Sequence, residues 1–150
     1  MIKPKNRIIT EEDIDRIFNQ SKKKYRKWNH SNCPAIGKIN INTHFWRHIK
    51  ENKNRRLRPY KDVIHRLRAI RQTKKLLESI SHVQDIYEEN KGSQKIKYWC
   101  IVGHNEHNRL GIILRKVQNG HIHLYSIIPN WKGYIPRERL INKEISIKAV

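Results

Sequence analysis

Nine histidines occur in 150 residues, and several sit at spacings that bring them together. His44 and His48 are four apart, so on a helix both project from one face. His121 and His123 are two apart, so on a strand they share a face with Tyr125. Just upstream lie Arg115 and Lys116, followed by Asn119-Gly120, a strong signal for a type I′ hairpin. Pairing across that turn sets Arg115 and Lys116 near His123 and the 121–122 segment, with Ser126 further along. These residue types suit RNA cleavage without a metal. A base takes the 2′-hydroxyl proton, an acid protonates the leaving 5′-oxygen, and a cation stabilises the phosphorane between them. The carboxylates cluster instead in 11–15 and 85–89, unlike a two-metal centre, so neither metal nor other cofactor is expected. Cys100, His104 and His107 have a C-x3-H-x2-H spacing that Cys33 could complete as a zinc set. Cys100 reads instead as a small core residue in the middle of a strand. The histidines too have a plain reading, as packed helix-start or half-exposed strand residues.

The charge balance says what such residues would act on. Lys and Arg number 33 against 13 Asp and Glu, a formal net charge of +20. A compact body so charged repels itself, and a polyanion relieves that repulsion. Each phosphate contact also releases condensed counterions. RNA is therefore the expected partner, with a supercharged soluble surface or an anionic-membrane binder as the alternatives. The two cysteines are 67 positions apart and form no disulfide framework. No segment carries the apolar core of a signal peptide or approaches the ~18 apolar residues of a membrane helix. A cytoplasmic protein with no membrane partner is expected.

The elements that must position these groups follow from periodicity. Thr10 with Glu11, Glu12 and Asp13 reads as a capped helix start, giving a short helix over about 10–20. Next, Lys22, Lys23, Lys24, Arg26 and Lys27 surround Tyr25 and Trp28, a mixture suited to a phosphate backbone and exposed bases. The stretch 37–42 alternates as a strand, and Thr43 then caps the helix carrying His44 and His48. One long helix is expected from Tyr60 to about Ser79, with Val63, Ile64, Leu67, Ile70, Leu76 and Leu77 inward. Its outer face, with Arg66, Arg71, Lys74 and Lys75, would form a basic rail about 20 Å long. From 83 the period is two: a strand over 83–87, then 95–103, 109–117 and 121–128. Helices first and strands later give an α+β class, N-terminal helices packed on a three- to four-stranded antiparallel sheet.

The order of these features resembles a known superfamily. A strand and helix bear Thr43-His44-Phe45-Trp46-Arg47-His48-Ile49, and a long helix contains Val63-Ile64-His65-Arg66-Leu67. A strand then ends in the basic pair of Leu110–Lys116, and the last reads Tyr125-Ser126-Ile127-Ile128-Pro129. Together they look like the phage and polymorphic-toxin branch of the barnase–EndoU–colicin–RelE (BECR) superfamily, small metal-independent RNases. The resemblance implies a nuclease domain over 37–130, preceded by a basic helical extension, 1–36, and followed by a tail, 131–150. It implies catalytic roles for His48, Arg115 and Ser126, and a structural one for Pro129; His44, His123 and Tyr125 join them on geometry, and Lys116 is added beside Arg115 as a residue that binds the scissile phosphate. The resulting expectation is an endoribonuclease acting on tRNA or another structured RNA, a toxin or phage effector held by an acidic inhibitor protein. The rival readings are a non-enzymatic nucleic-acid-binding protein and an inhibitor that binds an acidic partner protein.

Overall fold

The computed structural model describes residues 9–104 and 109–130. Thr10 opens the first helix with a reciprocal capping box. Its hydroxyl accepts from the Asp13 N–H at 3.2 Å, and the Asp13 carboxylate accepts from the Thr10 N–H at 3.0 Å, satisfying two otherwise orphaned donors. Helix α1 (Glu11–Lys24) thus runs past the expected end at 20 and takes in the first three lysines of the basic segment. Strands β1 (His30–Cys33) and β2 (Gly37–Asn40) form an antiparallel hairpin, so the expected domain boundary at 36 falls inside its turn. Ile14, Phe18, Trp28 and Cys33 share one apolar cluster with the sheet. The described part of the N-terminal segment, from 9 onward, therefore contributes to the same core.

Asn42, not Thr43, caps α2 (Thr43–Lys50): its Oδ1 accepts from the N–H groups of His44 and Phe45. The long helix expected over 60–79 is two, α3 (Tyr60–Arg68) and α4 (Ile70–Ser79), broken at Ala69. There the Ala69 N–H reaches back to the Arg66 carbonyl, three residues away, at 3.1 Å, which tightens the turn. The Thr73 hydroxyl competes for the Ala69 carbonyl at 2.8 Å, a bond that bends helices. Val63, Leu67, Ile70 and Leu77 are buried as expected, but so is Arg66, at 8% exposure. The expected rail loses that residue to the interior.

Four strands follow: β3 (Asp85–Lys91), β4 (Gln94–His104), β5 (Arg109–Val117) and β6 (His123–Pro129). The sheet has six strands in the order β1-β2-β6-β5-β4-β3, against the three or four antiparallel strands expected. Its pairs are antiparallel except β2 with β6, which run parallel through Asn40 and His123. The α+β class stands. The hairpin joining β5 to β6 also differs. Its turn spans Val117 to Gly120, closed by the Gly120 N–H on the Val117 carbonyl at 2.9 Å, with the positive φ on Gln118 (54°) rather than on Asn119 or Gly120. No type I′ turn forms at Asn119-Gly120, and His121 lies outside the returning strand.

Side chains alternate across this sheet. One face carries Trp99, Ile101, Ile112, Leu114, Leu124 and Ile127, all buried against the helices. A Cβ at Gly103, on this face of β4, would run into Leu76 of α4, so α4 lies directly on it. The opposite face carries Tyr98, Arg115, His123 and Tyr125. A bulge opposite Ile113 and Leu114 leaves Tyr125 unpaired in β6. It shifts the alternation so that both Leu124 and Ile127 face the helices. No helix among the described residues is long and apolar enough to cross a membrane.

Candidate functional site

Helix α2 packs along β6 just where β2 stops pairing with it. Its apolar residues Phe45, Trp46 and Ile49 enter the core, and the other side of the helix turns His44 and His48 over the open face of the sheet. There they meet β6. The His44 ring stacks on Tyr125 at 5.5 Å and 22°, and His48 meets the same ring edge-on at 4.7 Å. His123 lies 6.0 Å from His44. Arg115 is the register partner of both His123 and Tyr98, and its guanidinium carbon lies 4.9 Å from the Tyr125 ring centre. Four of the six residues expected to be catalytic thus surround the ring of a fifth, Tyr125, and His44, His48, Arg115 and Tyr125 line a cavity of about 790 Å³.

Arginines fix the state of two of these imidazoles. Arg58, in the loop after α2, donates Nε–H to the His48 carbonyl at 2.9 Å and lies 3.0 Å from His48 Nδ1 through Nη2. Arg47 Nη2 lies 2.9 Å from His44 Nδ1. A guanidinium only donates, so each Nδ1 accepts and each neutral ring carries its proton on Nε2. Both Nε2 atoms, and Nε of Arg115, are shielded from water with no hydrogen-bond partner among the described residues. An unmet buried donor costs about 1–3 kcal/mol. Three such donors come from residues that pack around the Tyr125 ring.

Burial keeps the rings neutral. It is the largest influence on His48, whose pKa falls to about 4; its own carbonyl pulls the other way, while Arg58, His44 and Arg66 lower it further. His44 is lowered by burial, then by Arg47 and Arg115. His123 is lowered by burial, then by His44 and Arg115, against a hydrogen bond to the backbone of His121. Burial also pushes Tyr98 up to about 12, so its hydroxyl keeps its proton and donates a hydrogen bond to Glu89 at 3.3 Å.

Ser126 is the exception among the expected catalytic residues. It is 8% exposed and accepts from Arg66 Nη1 at 3.3 Å, while the same Arg66 nitrogen donates to the Ile127 carbonyl. Arg66 and Arg58 both reach the Asp62 carboxylate, at 3.2 and 3.6 Å. This group ties α3 to β6 and to His48. Its serine is engaged in that tie rather than offered to the cavity.

The residues expected to bind nucleic acid divide by location. Lys116 neighbours Arg115 on β5, so it points to the other face and does not share the phosphate position expected for it. Arg71, Lys74 and Lys75 ride on α4, across the sheet from the cavity; Lys74 is also paired with Glu78 at 3.1 Å. Lys22 is closer: it sits 5.8 Å from the Phe18 ring, as Lys50 does at 5.0 Å, beside Arg47 on the outer side of α2. Lys23, Lys24, Arg26 and Lys27 are exposed nearby in sequence, while Trp28 is buried and Tyr25 packs on the core. Those aromatics are structural.

Pattern reading missed Arg58, Arg47, Tyr98, Tyr87 and Glu89. Tyr98 was accessible by drawing the β4–β5 register opposite Arg115; Arg58, in the irregular 51–59 loop, had no signal. The zinc set does not assemble around the two cysteines. β1 and β4 are four strand spacings apart, roughly 19 Å, Cys33 donates to the Ile80 carbonyl, and burial raises the Cys100 thiol to about 12. His107 and the His104 side chain lie outside the described residues, as does the expected tail from 131 to 150. Comparison with protein-family models, with curated proteins and with solved structures finds no significant match.

Proposed function

We propose that this protein is a metal-independent endoribonuclease of BECR type, acting on tRNA or another structured RNA. The observation that carries the reading is the cluster of three N–H donors from His44, His48 and Arg115 that have no partner among the described residues, beside a histidine of a different kind. His123 spends one ring nitrogen on the His121 backbone and is held neutral. Its other nitrogen can accept the 2′-hydroxyl proton. Arg115, with His48 and His44 donating from Nε2, would hold the phosphate and the charge that grows on its oxygens in the phosphorane. The Tyr125 hydroxyl is the acid for the leaving 5′-oxygen, and the ring must move aside as the phosphate enters. In this reading His48 acts as a neutral donor rather than a base, because Arg58 occupies its Nδ1.

The exposed cations near α1 would dock the backbone, and the same field would speed capture by an acidic inhibitor. Purified protein incubated with total tRNA and with single-stranded DNA, with and without EDTA, tests the reading on a denaturing gel. Discrete RNA fragments that persist in EDTA and vanish in His123→Gln are expected. Intact RNA that still shifts on a native gel would sink the enzyme and leave a binding protein that uses the same donors to grip phosphate.

A further inference from the structure

The cavity is not uniformly cationic, and its second wall has no part in the chemistry above. Opposite the histidines, β3 and β4 present Tyr87 and Tyr98 as a directly paired, stacked couple, 5.8 Å between centres and 19° between planes. Both hydroxyls donate to one carboxylate, Glu89, Tyr87 to Oε2 at 3.0 Å and Tyr98 to Oε1 at 3.3 Å. Glu89 is partly exposed and lines the cavity, as do both tyrosines. Each of its oxygens keeps a second lone pair. In a chain of net charge +20, a carboxylate fixed at this place by two tyrosines repels phosphate and accepts N–H.

We propose that Tyr87, Tyr98 and Glu89 form a nucleobase subsite that selects bases bearing an exocyclic amine: adenine, cytosine or guanine over uracil. The base lies against the tyrosine pair, since every base has a π-face to stack. Its amino group donates to Glu89, the way carboxylates read such groups on base edges. The distance suits one nucleotide. Arg115 and Tyr87 flank Tyr98 in register on either side, two strand spacings or about 10 Å apart, so a phosphate at Arg115 leaves its own base over this wall. Arg115 also lies over Tyr98, 5.9 Å from the ring centre, joining the phosphate end of the cavity to the base end. The inference rests on the reading that the cavity takes RNA, and it specifies which nucleotides enter.

Binding of the four nucleoside 3′-monophosphates, measured by calorimetry, tests it separately from cleavage. The adenosine, cytidine and guanosine compounds should bind about ten-fold or more tighter than the uridine compound. Glu89→Gln should erase most of that difference and leave uridine binding little changed. Equal affinity for all four, uracil preference, or no binding of any of them overturns the subsite. The wild-type comparison needs no variant, so a misfolded mutant cannot obscure it. Amine-selective binding by a protein that leaves tRNA intact would retain the subsite and remove the nuclease.

Discussion

The two faces of the sheet are made from alternate residues of the same strands, yet they obey different rules. On the helix-covered face, Ile101, Ile112, Leu114, Leu124 and Ile127 are at most 1% exposed, and what they contribute is removal of apolar area from water. On the cavity face, side chains of similar bulk are rings and guanidiniums: Tyr98, Arg115, His123 and Tyr125. There, Nε of Arg115 is buried without a partner among the described residues, as are the Nε2 atoms that α2 lays over this face. One face spends its sequence on stability, while the other tolerates unmet donors that stability alone would remove. That contrast is the physical ground for placing the site.

The largest break in the comparison should come from His123→Gln. A positioned base contributes about 10²–10⁴ in rate, so tRNA cleavage should drop by that much while the thermal midpoint barely moves. A large fall in both would make His123 a core residue. Arg115→Ala should follow at about 10²–10³, again in cleavage rather than melting. The opposite pattern is expected one residue away: Leu114→Ala should cost about 2–5 kcal/mol in denaturant unfolding, with activity per folded molecule retained. If Leu114→Ala and Arg115→Ala behave alike, the two faces are not functionally distinct.

Acid should distinguish the faces more gently. The folded pKa of His48 is lowered to about 4 from the ordinary 6.5, so between these values the unfolded chain binds the proton and the folded one resists it. Stability is then full above 6.5 and falls as pH drops toward about 4. His48→Gln should flatten that decline, seen by denaturant melts across the range. An unchanged pH profile would show that His48 is not held neutral by its surroundings. The acid limb of cleavage, if His123 is the base, should have its midpoint below 6.5. The smallest effect belongs to Arg71→Gln with Lys75→Gln, on the helix behind the sheet. RNA affinity and its salt slope should change less there than with Lys22→Gln and Lys27→Gln, by filter binding at several salt concentrations. A larger effect from the α4 pair would place RNA on the wrong side of the sheet.

Much of this was legible in the chain before folding. Charge, the helices bearing Ile14 with Phe18 and His44 with His48, and the strands over 95–103 and 109–117 follow from local rules of spacing. The pairing of Arg115 with His123 survived even though the turn between them is of another type, because the strands' alternation had to bury Leu114 and Leu124 together. The hairpin at Gly92-Ser93 carries a turn signal in its glycine; Gly92 has φ of 64°, and Lys91 pairs with Gln94.

What the sequence determined by itself is therefore the chemistry available: a basic chain, an α+β pattern, and histidines, arginine and tyrosine at periods that aim them together. Tertiary structure alone decided which of them meet. The parallel contact of β2 with β6 brings α2 over Tyr125, the bulge at Tyr125 changes which neighbours face inward, and the loop residue Arg58 sets the proton of His48. Arg66 went inward to Asp62 and Ser126, and Lys116 went to the far face. Periodicity reports which side of its own element a residue occupies. It carries no information about which other element covers that side, and protonation and partnership depend on that cover.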